Sequence, residues 1–498
     1  MKQKFLLGYD IGSSSIKASL LNAETGELNN SAISPEYEMK IESPQMGWAE
    51  QNPETWWEHV VSATKKVFSK IQTASYEIEG IGISYQMHGL VMVNKNLKVL
   101  RPSIIWCDSR AVELGNKAFS ALGMKYCLGH CLNSPGNFTA SKLKWVKENQ
   151  PEIYSEIFKI MLPGDFIAMK LTDKISTTIS GLSEGIFWDF ENKSLADKLI
   201  DYYGFENKLI ADIVPTFGNQ GELTKKAASE LGLYPGIPVT YRAGDQPNNA
   251  LSLNVSNPGE IAATAGTSGV IYGVTDKNII DNESRVNTFA HVNYSNSQPN
   301  KGVLLCINGT GIQYSWIKQT ILNNKFKYEE LNQLAESIAV GSEGLFCFPY
   351  GNGAERMLQN KDVQGQFTGI NFNIHKLGHL IRAAQEGIVF SFRYGLDIMK
   401  SIGLEIGVIK AGYSNLFLSK VFREVFINTC DVKLEMYNTD GSQGAARGAG
   451  IGAGYYSSID AFKGLKRMDS LISNKELVDK YNNIYQRWKN NFIRIIEI

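Results

Sequence analysis

Apolar and polar positions alternate along the chain in a way that predicts an α/β protein. FLLGYDI (5–11) is an apolar run that stops at a Gly-Ser turn. IKASLLNA (16–23) follows, then the turn TGE and a third extended segment, so the N-terminus predicts a meander of three strands rather than a βαβ unit. Residues 54–71 carry apolar side chains at helical spacing, and GIGISYQMHGLVMV (80–93) predicts one buried strand. Helical stretches recur between Pro102 and Gln150, interrupted at Pro135-Gly136. Near Pro238 the opening pattern returns: IPVTYRAGDQPNNA, then IAATAGTSGVIYGV, again strand, Gly-Thr-Ser turn and strand. Two hydroxyl-rich turns, at Gly12–Ser15 and Gly266–Gly269, therefore lie half a chain apart. A repeat of that length implies two related domains, 1–254 and 255–498, with the boundary between Ser252 and Gly259. Later, 376–401 predicts a long helix, EIGVIKAG a strand, and SQGAARGAGIGAGYY a helix of small residues.

Composition narrows the class. Fifty Lys+Arg balance 50 Asp+Glu, so the net charge is zero. Polyanionic partners such as nucleic acid or an anionic membrane need clustered excess cation and are disfavoured. Glycine, 46 of 498 residues, is about 9% and exceeds the roughly 7% usual for proteins, without excess proline. That combination points to tight turns in a folded chain. Six cysteines in this length form no disulfide framework, the first residues carry no secretory pattern, and no 18-residue apolar stretch occurs. The expectation is a reduced, cytoplasmic protein.

Four constellations could carry chemistry. Asp10-Ile11-Gly12-Ser13-Ser14-Ser15 with Lys17 offers backbone N–H groups and hydroxyls to a phosphate, and a strand-end carboxylate to Mg²⁺. A polar hairpin needs the same residues for turn geometry alone. Ala265-Gly266-Thr267-Ser268-Gly269 reads the same way, and two such loops suggest ATP held between domains. Asp245, in Gly244-Asp245-Gln246 at a strand end, is placed to act as a general base or simply to cap the following helix. Gln86-Met87-His88-Gly89 interrupts an apolar strand with polar groups, either a satisfied core histidine or a ligand contact. Trp106 and Asp108, in WCDSR, could add an aromatic wall and a polar contact. Cys127, His130 and Cys131 lack the spacing of a zinc site and read as buried thiols.

In this order the motifs resemble the FGGY carbohydrate kinase family over essentially the whole chain. They are YDIGSSSIK, GWAEQNPETWW, GISYQMHGLV, LRPSIIWCDSR, PGNFTASKLKWVKENQPE, LPGDFIAMKLTD, AGDQPNNA, AGTSG, FPYGNGAER and DGSQGAARGAGIGAG. Within the family, QMHG resembles the members that phosphorylate D-xylulose. The resemblance implies two actin-like, RNase H-type domains around a central cleft, related to the hexokinase and Hsp70 ATPases. It implies ATP and Mg²⁺, a ketopentose substrate, and a monomer or homodimer.

By motif, Asp245 becomes the base and Asp10 the residue near Mg²⁺ and the phosphates. Met87, His88, Trp106, Asp108, Asp245 and Gln246 become sugar contacts. Gly12, Ser13, Ser14, Ser15, Gly266 and Thr267 become the phosphate loops, and Gly309, Gln313, Gly412 and Asn415 the nucleotide contacts. Three positions depart from the family pattern: Gln246 where Asn is common, Ser where Thr is common in the first loop, and Ala-Gly-Tyr-Ser at the adenosine loop, which puts Tyr413 near the base. The alternatives are a ribulose, gluconate or glycerol kinase of the same family, an ATP-driven binding protein, or a sugar sensor. A sensor should have lost the base, and a chaperone-like protein would need a peptide-binding domain for which no length remains.

Overall fold

The computed structural model describes residues 2–71 and 76–497. In the first of two main sheets, β1 (Gln3–Ile11), β2 (Ile16–Asn22) and β3 (Leu28–Ser34) form the expected antiparallel meander. After helix α1 (Pro53–Phe68), β4 (Tyr76–Tyr85) and β5 (Val239–Gly244) join in parallel on the other side of β1, and helix α2 (Asp245–Ser252) follows at once. The strand order is β5-β4-β1-β2-β3.

The second sheet contains β6 (Ile261–Ala265), β7 (Gly269–Thr275), β8 (Asn287–Ala290), β9 (Lys301–Ile307), β10 (Ile409–Gly412), β11 (Leu434–Tyr437) and β12 (Arg467–Leu471). Its order is β8-β9-β7-β6-β10-β11-β12. Without the edge strands β8 and β12, the order β11-β10-β6-β7-β9 repeats the first sheet with the same parallel and antiparallel pairs. The two hydroxyl-rich turns are thus the β1–β2 and β6–β7 hairpins of a duplicated unit.

Strand β1 shows how sequence fixes the layers. Side chains alternate across a strand, and here both faces are covered, so the run is apolar throughout. Phe5, Leu7, Tyr9 and Ile11 pack in one core with Trp56, Trp57 and Val60 of α1. Leu6 faces the opposite core with Ala446 and Ala449 of the small-residue helix (Gly441–Gly452). That helix lies so close that a Cβ on Gly82 would sit 1.9 Å from the Ala445 carbonyl oxygen. The division at 254/255 therefore separates the sheets but not the packing, because a helix of the second half covers the first sheet.

The reverse also holds. Met87, Phe138, Leu143 and Phe187 of the first half share a core with Ala262, Val270, Tyr272 and Phe289 of the second sheet. Edge strand β8 is stitched to the first half: Asn133 Nδ2 donates to the Thr288 carbonyl (2.6 Å), Thr288 N–H donates to Asn133 Oδ1 (3.0 Å), and Ala290 N–H donates to Ser183 Oγ (2.9 Å).

The single strand expected over 80–93 is broken. Strand β4 ends at Tyr85, Gln86–Gly89 turn out of the sheet with His88 at φ 62°, and Val91–Val93 pairs instead with Lys159–Met161. Apolar residues on both sides of the break concealed it. Among the described residues no helix is long and apolar enough to cross a membrane.

Candidate active site

The C-terminal ends of β1, β4 and β5 lie side by side. Asp10 pairs with Ser84, and Tyr85 pairs with both Ile11 and Gly244, so Asp245 follows one residue beyond the sheet. Two strand spacings put the backbones of Asp10 and Asp245 about 10 Å apart. Ser84 Oγ donates to Asp10 Oδ1 (2.8 Å), and Oδ2 has no hydrogen-bond partner among the described residues. Burial raises the Asp10 carboxyl above the ordinary range, the neighbouring Asp440 raises it further, and Lys17 opposes both. Lys17 Nζ pairs with Asp440 at 3.3 Å, while Asp440 caps the 441–452 helix through Gln443 N–H.

Asp245 occupies the first position of α2, with Gln246 after it. Its carboxyl is pushed up to about 7, first by burial and then by the Asp10 charge, against hydrogen bonds from Gln246. A carboxylate that titrates near neutral pH in a cleft can accept a proton and still be regenerated in water.

On the other side of Gly244, Met87 is buried and His88 half-buried. The Nδ1–H of His88 donates to the Glu184 carbonyl (3.0 Å). Burial holds the ring neutral, down to about 3, with the Lys142 charge acting in the same direction. A neutral ring donating through Nδ1 keeps Nε2 as an acceptor. Phe138 stands edge-on to His88 at 4.8 Å and Phe289, from the second sheet, lies at 5.3 Å. Trp106 is half exposed and its Nε1–H reaches Ser13 Oγ at 3.3 Å, joining this wall to the first hairpin.

Asp108 differs from expectation. It is fully buried, accepts from Ala49 N–H (2.6 Å), and takes a two-pronged ion pair from Arg110. Both oxygens are occupied, so it braces the loop and does not face a ligand.

The residues expected to contact nucleotide also divide. Gly12, Ser13, Ser14 and Ser15 form the tight β1–β2 turn, closed by Gly12 N–H donating to the Ser15 carbonyl at 3.1 Å. Gly266, Thr267 and Asn415 line a cavity of about 480 Å³ with Tyr328 and Leu416, and Gly412 ends the adjacent β10. Gly309 and Gln313 line a neighbouring cavity of about 430 Å³, with Ile312 shared between the two. Gln313 Nε2 reaches Cys347 Sγ at 3.2 Å, and its Oε1 is buried without a partner. The helix Gly311–Trp316 lies between these two cavities and docks on the second hairpin through Gly311 N–H to the Gly266 carbonyl (2.9 Å). Tyr413 is partly exposed beside Arg423, 5.8 Å from its ring centre.

Three groups escaped sequence reasoning. Lys142 Nζ, fully buried, donates to the carbonyls of His88 (2.9 Å) and Ile105 (3.0 Å); burial lowers it to about 7 against the Asp108 charge. Its signal was present, since Lys142 lies on the same helical face as the apolar Val146 four residues on. Glu184 is buried beside Met87, and both its carboxyl oxygens lack a hydrogen-bond partner among the described residues; burial drives it well above the usual carboxylate range. Glu355 accepts from Asn308 N–H at 2.9 Å, and burial raises it to about 7, so it holds the Asn308–Gly309 turn. Glu184 has no local signature, and Glu355 lies in FPYGNGAER, where the motif gave it no role. Cys127 and Cys131 are buried thiols, and His130 pairs with Asp189 at 3.0 Å.

Family models of the FGGY family of carbohydrate kinases match in both halves, the N-terminal domain over residues 5–252 and the C-terminal domain over 261–456. A xylulose kinase of Lactococcus lactis is 28% identical over 99% of this chain and 97% of its own. The solved xylulose kinase of Rhodospirillum rubrum superposes with TM-score 0.86 at 22% identity, covering 99% of both chains. The gluconate kinase of Lactobacillus acidophilus reaches 0.89 at 19% identity, again over 99% of both. The fold is thus common to kinases of different sugars.

Proposed function

The chain belongs to the FGGY family of carbohydrate kinases, and on that premise we propose that it transfers the γ-phosphoryl group of ATP to D-xylulose, giving D-xylulose 5-phosphate. The observation that carries the reading is the place of Asp245: one residue beyond the end of β5, at the same sheet edge as Asp10, where burial pushes its carboxyl up to about 7. The choice of D-xylulose is supported by the xylulose kinases among the relatives and by the QMHG turn.

Phosphoryl transfer asks the protein for alignment, charge stabilisation and exclusion of water. The sugar binds against Met87, the acceptor Nε2 of His88, and Gln246. Asp245 takes the proton as the hydroxyl oxygen attacks phosphorus. The β- and γ-phosphates are held by backbone N–H groups and hydroxyls of the two hairpins, not by a basic surface, which fits the zero net charge. Asp10 suits Mg²⁺, because its free Oδ2 lies in a site where Asp440 makes negative charge unfavourable. When bound, the metal neutralises phosphate charge. Six free cysteines fit a reducing cytoplasm.

An ATP-coupled assay over ketoses, aldoses and polyols tests the reading. The highest kcat/KM should be for D-xylulose. A clear preference for glycerol or gluconate would overturn the substrate and keep the family.

A further inference from the structure

Arg356 follows Glu355 in FPYGNGAER, on a short turn of the second half, yet it reaches the first half's sugar wall. Its guanidinium lies 5.7 Å from the centre of the Phe138 ring, the same ring that His88 meets edge-on. Its Nη2 is 3.3 Å from where a Cβ on Gly136 would stand. Among the described residues its one side-chain hydrogen bond is from Nη1 to Asn287 Oδ1, and no carboxylate lies within ion-pair distance. The side chain is only partly buried, and its remaining N–H groups have no carboxylate to bind among the described residues. A half-buried cation without a counter-charge, beside the Phe138 ring that also meets His88, has donors to spare. Its forked geometry suits two neighbouring oxygens.

We propose that Arg356 is a substrate-binding residue supplied across the cleft, donating to adjacent oxygens of the sugar on the His88 side of the pocket. The proposal rests on the sugar-kinase reading. It adds that the second half recognises sugar directly and does not only carry nucleotide. Its neighbour Glu355 holds Asn308 N–H of the nucleotide turn, so a sugar oxygen bound to Arg356 is one residue from the groups that hold ATP.

Steady-state kinetics of Arg356→Gln and Arg356→Lys test this, using the sugar that the wild-type enzyme turns over best. The panel assay is run first, so that failure of the kinase reading shows in the wild type alone. Arg356→Gln should raise the sugar KM about tenfold or more, the scale of one charge-assisted hydrogen bond, and leave the ATP KM within about twofold. Arg356→Lys should recover only part, since an ammonium lacks the fork. Two results would overturn the proposal. One is a sugar KM within about twofold of wild type in both variants; the other is an equal rise in both KM values with a lowered Tm, which marks a structural role.

Discussion

Replacing Asp245 by Asn should make the enzyme slower and the fold more stable. A positioned general base contributes about 10²–10⁴ in rate, or about 3–5 kcal/mol, so kcat should fall by at least about a hundredfold while sugar still binds. The stability effect follows from linkage. The Asp245 carboxyl stands near 3.8 when unfolded and about 7 in the folded protein. The folded state therefore holds the extra proton between those values, and stability is lost as pH rises through the window. Asn carries no such penalty. Three units would give an upper bound of about 4 kcal/mol; with the solvent that the cleft admits, about 1–3 kcal/mol is expected above pH 7. Calorimetry at pH 5 and pH 8, beside kcat at pH 8, reads both effects. The variant should gain Tm over wild type at pH 8 and much less at pH 5. An unchanged or lowered Tm at pH 8, with kcat within about tenfold of wild type, would refute the reasoning.

Asp108→Asn should act on the fold rather than on the sugar. It leaves Arg110 partly uncompensated in a buried site, at about 3–5 kcal/mol when such a pair is broken, with the sugar KM little changed. A large rise in sugar KM at unchanged Tm would restore Asp108 as a contact. Gly82→Ala forces a Cβ to within 1.9 Å of the Ala445 carbonyl, so about 1–3 kcal/mol of stability should be lost, seen as a lower Tm. An unchanged Tm would show that the 441–452 helix can shift freely. Lys142→Met leaves the carbonyls of His88 and Ile105 without their donor, so the sugar KM should rise and the Tm fall; a normal KM would remove Lys142 from the support of the sugar turn.

Local chemistry decided what could be read in the sequence. The hairpins at Gly12–Ser15 and Gly266–Gly269 were legible because turn residues interrupt apolar runs, and their spacing revealed the duplication. Asp245 and Asp108 look alike as acids just past a strand, and only the structure shows that Arg110 claims one and leaves the other free. The break at Gln86–Gly89 was hidden because Val91–Val93 is as apolar as β4, although it pairs with another strand. The place of the 441–452 helix depends on contacts more than 400 residues distant in sequence, such as Ser19 Oγ to Ser442 Oγ, which no local pattern encodes. Glu184, Glu355 and Arg356 are placed in the same long-range way. Gln313 carries the motif expected of a nucleotide contact, and its hydrogen bond to Cys347, 34 residues on, is another contact that no local pattern encodes.

The dependence of kcat/KM on pH, for D-xylulose with saturating ATP and Mg²⁺, tests the central claim most directly. If Asp245 is the base, the rate constant should fall about tenfold per unit below pH 7 and level off above it, and the limb should vanish in Asp245→Asn. A wild-type profile flat from about pH 5.5 to about pH 8, or one whose acid limb survives in the variant, would contradict the assignment.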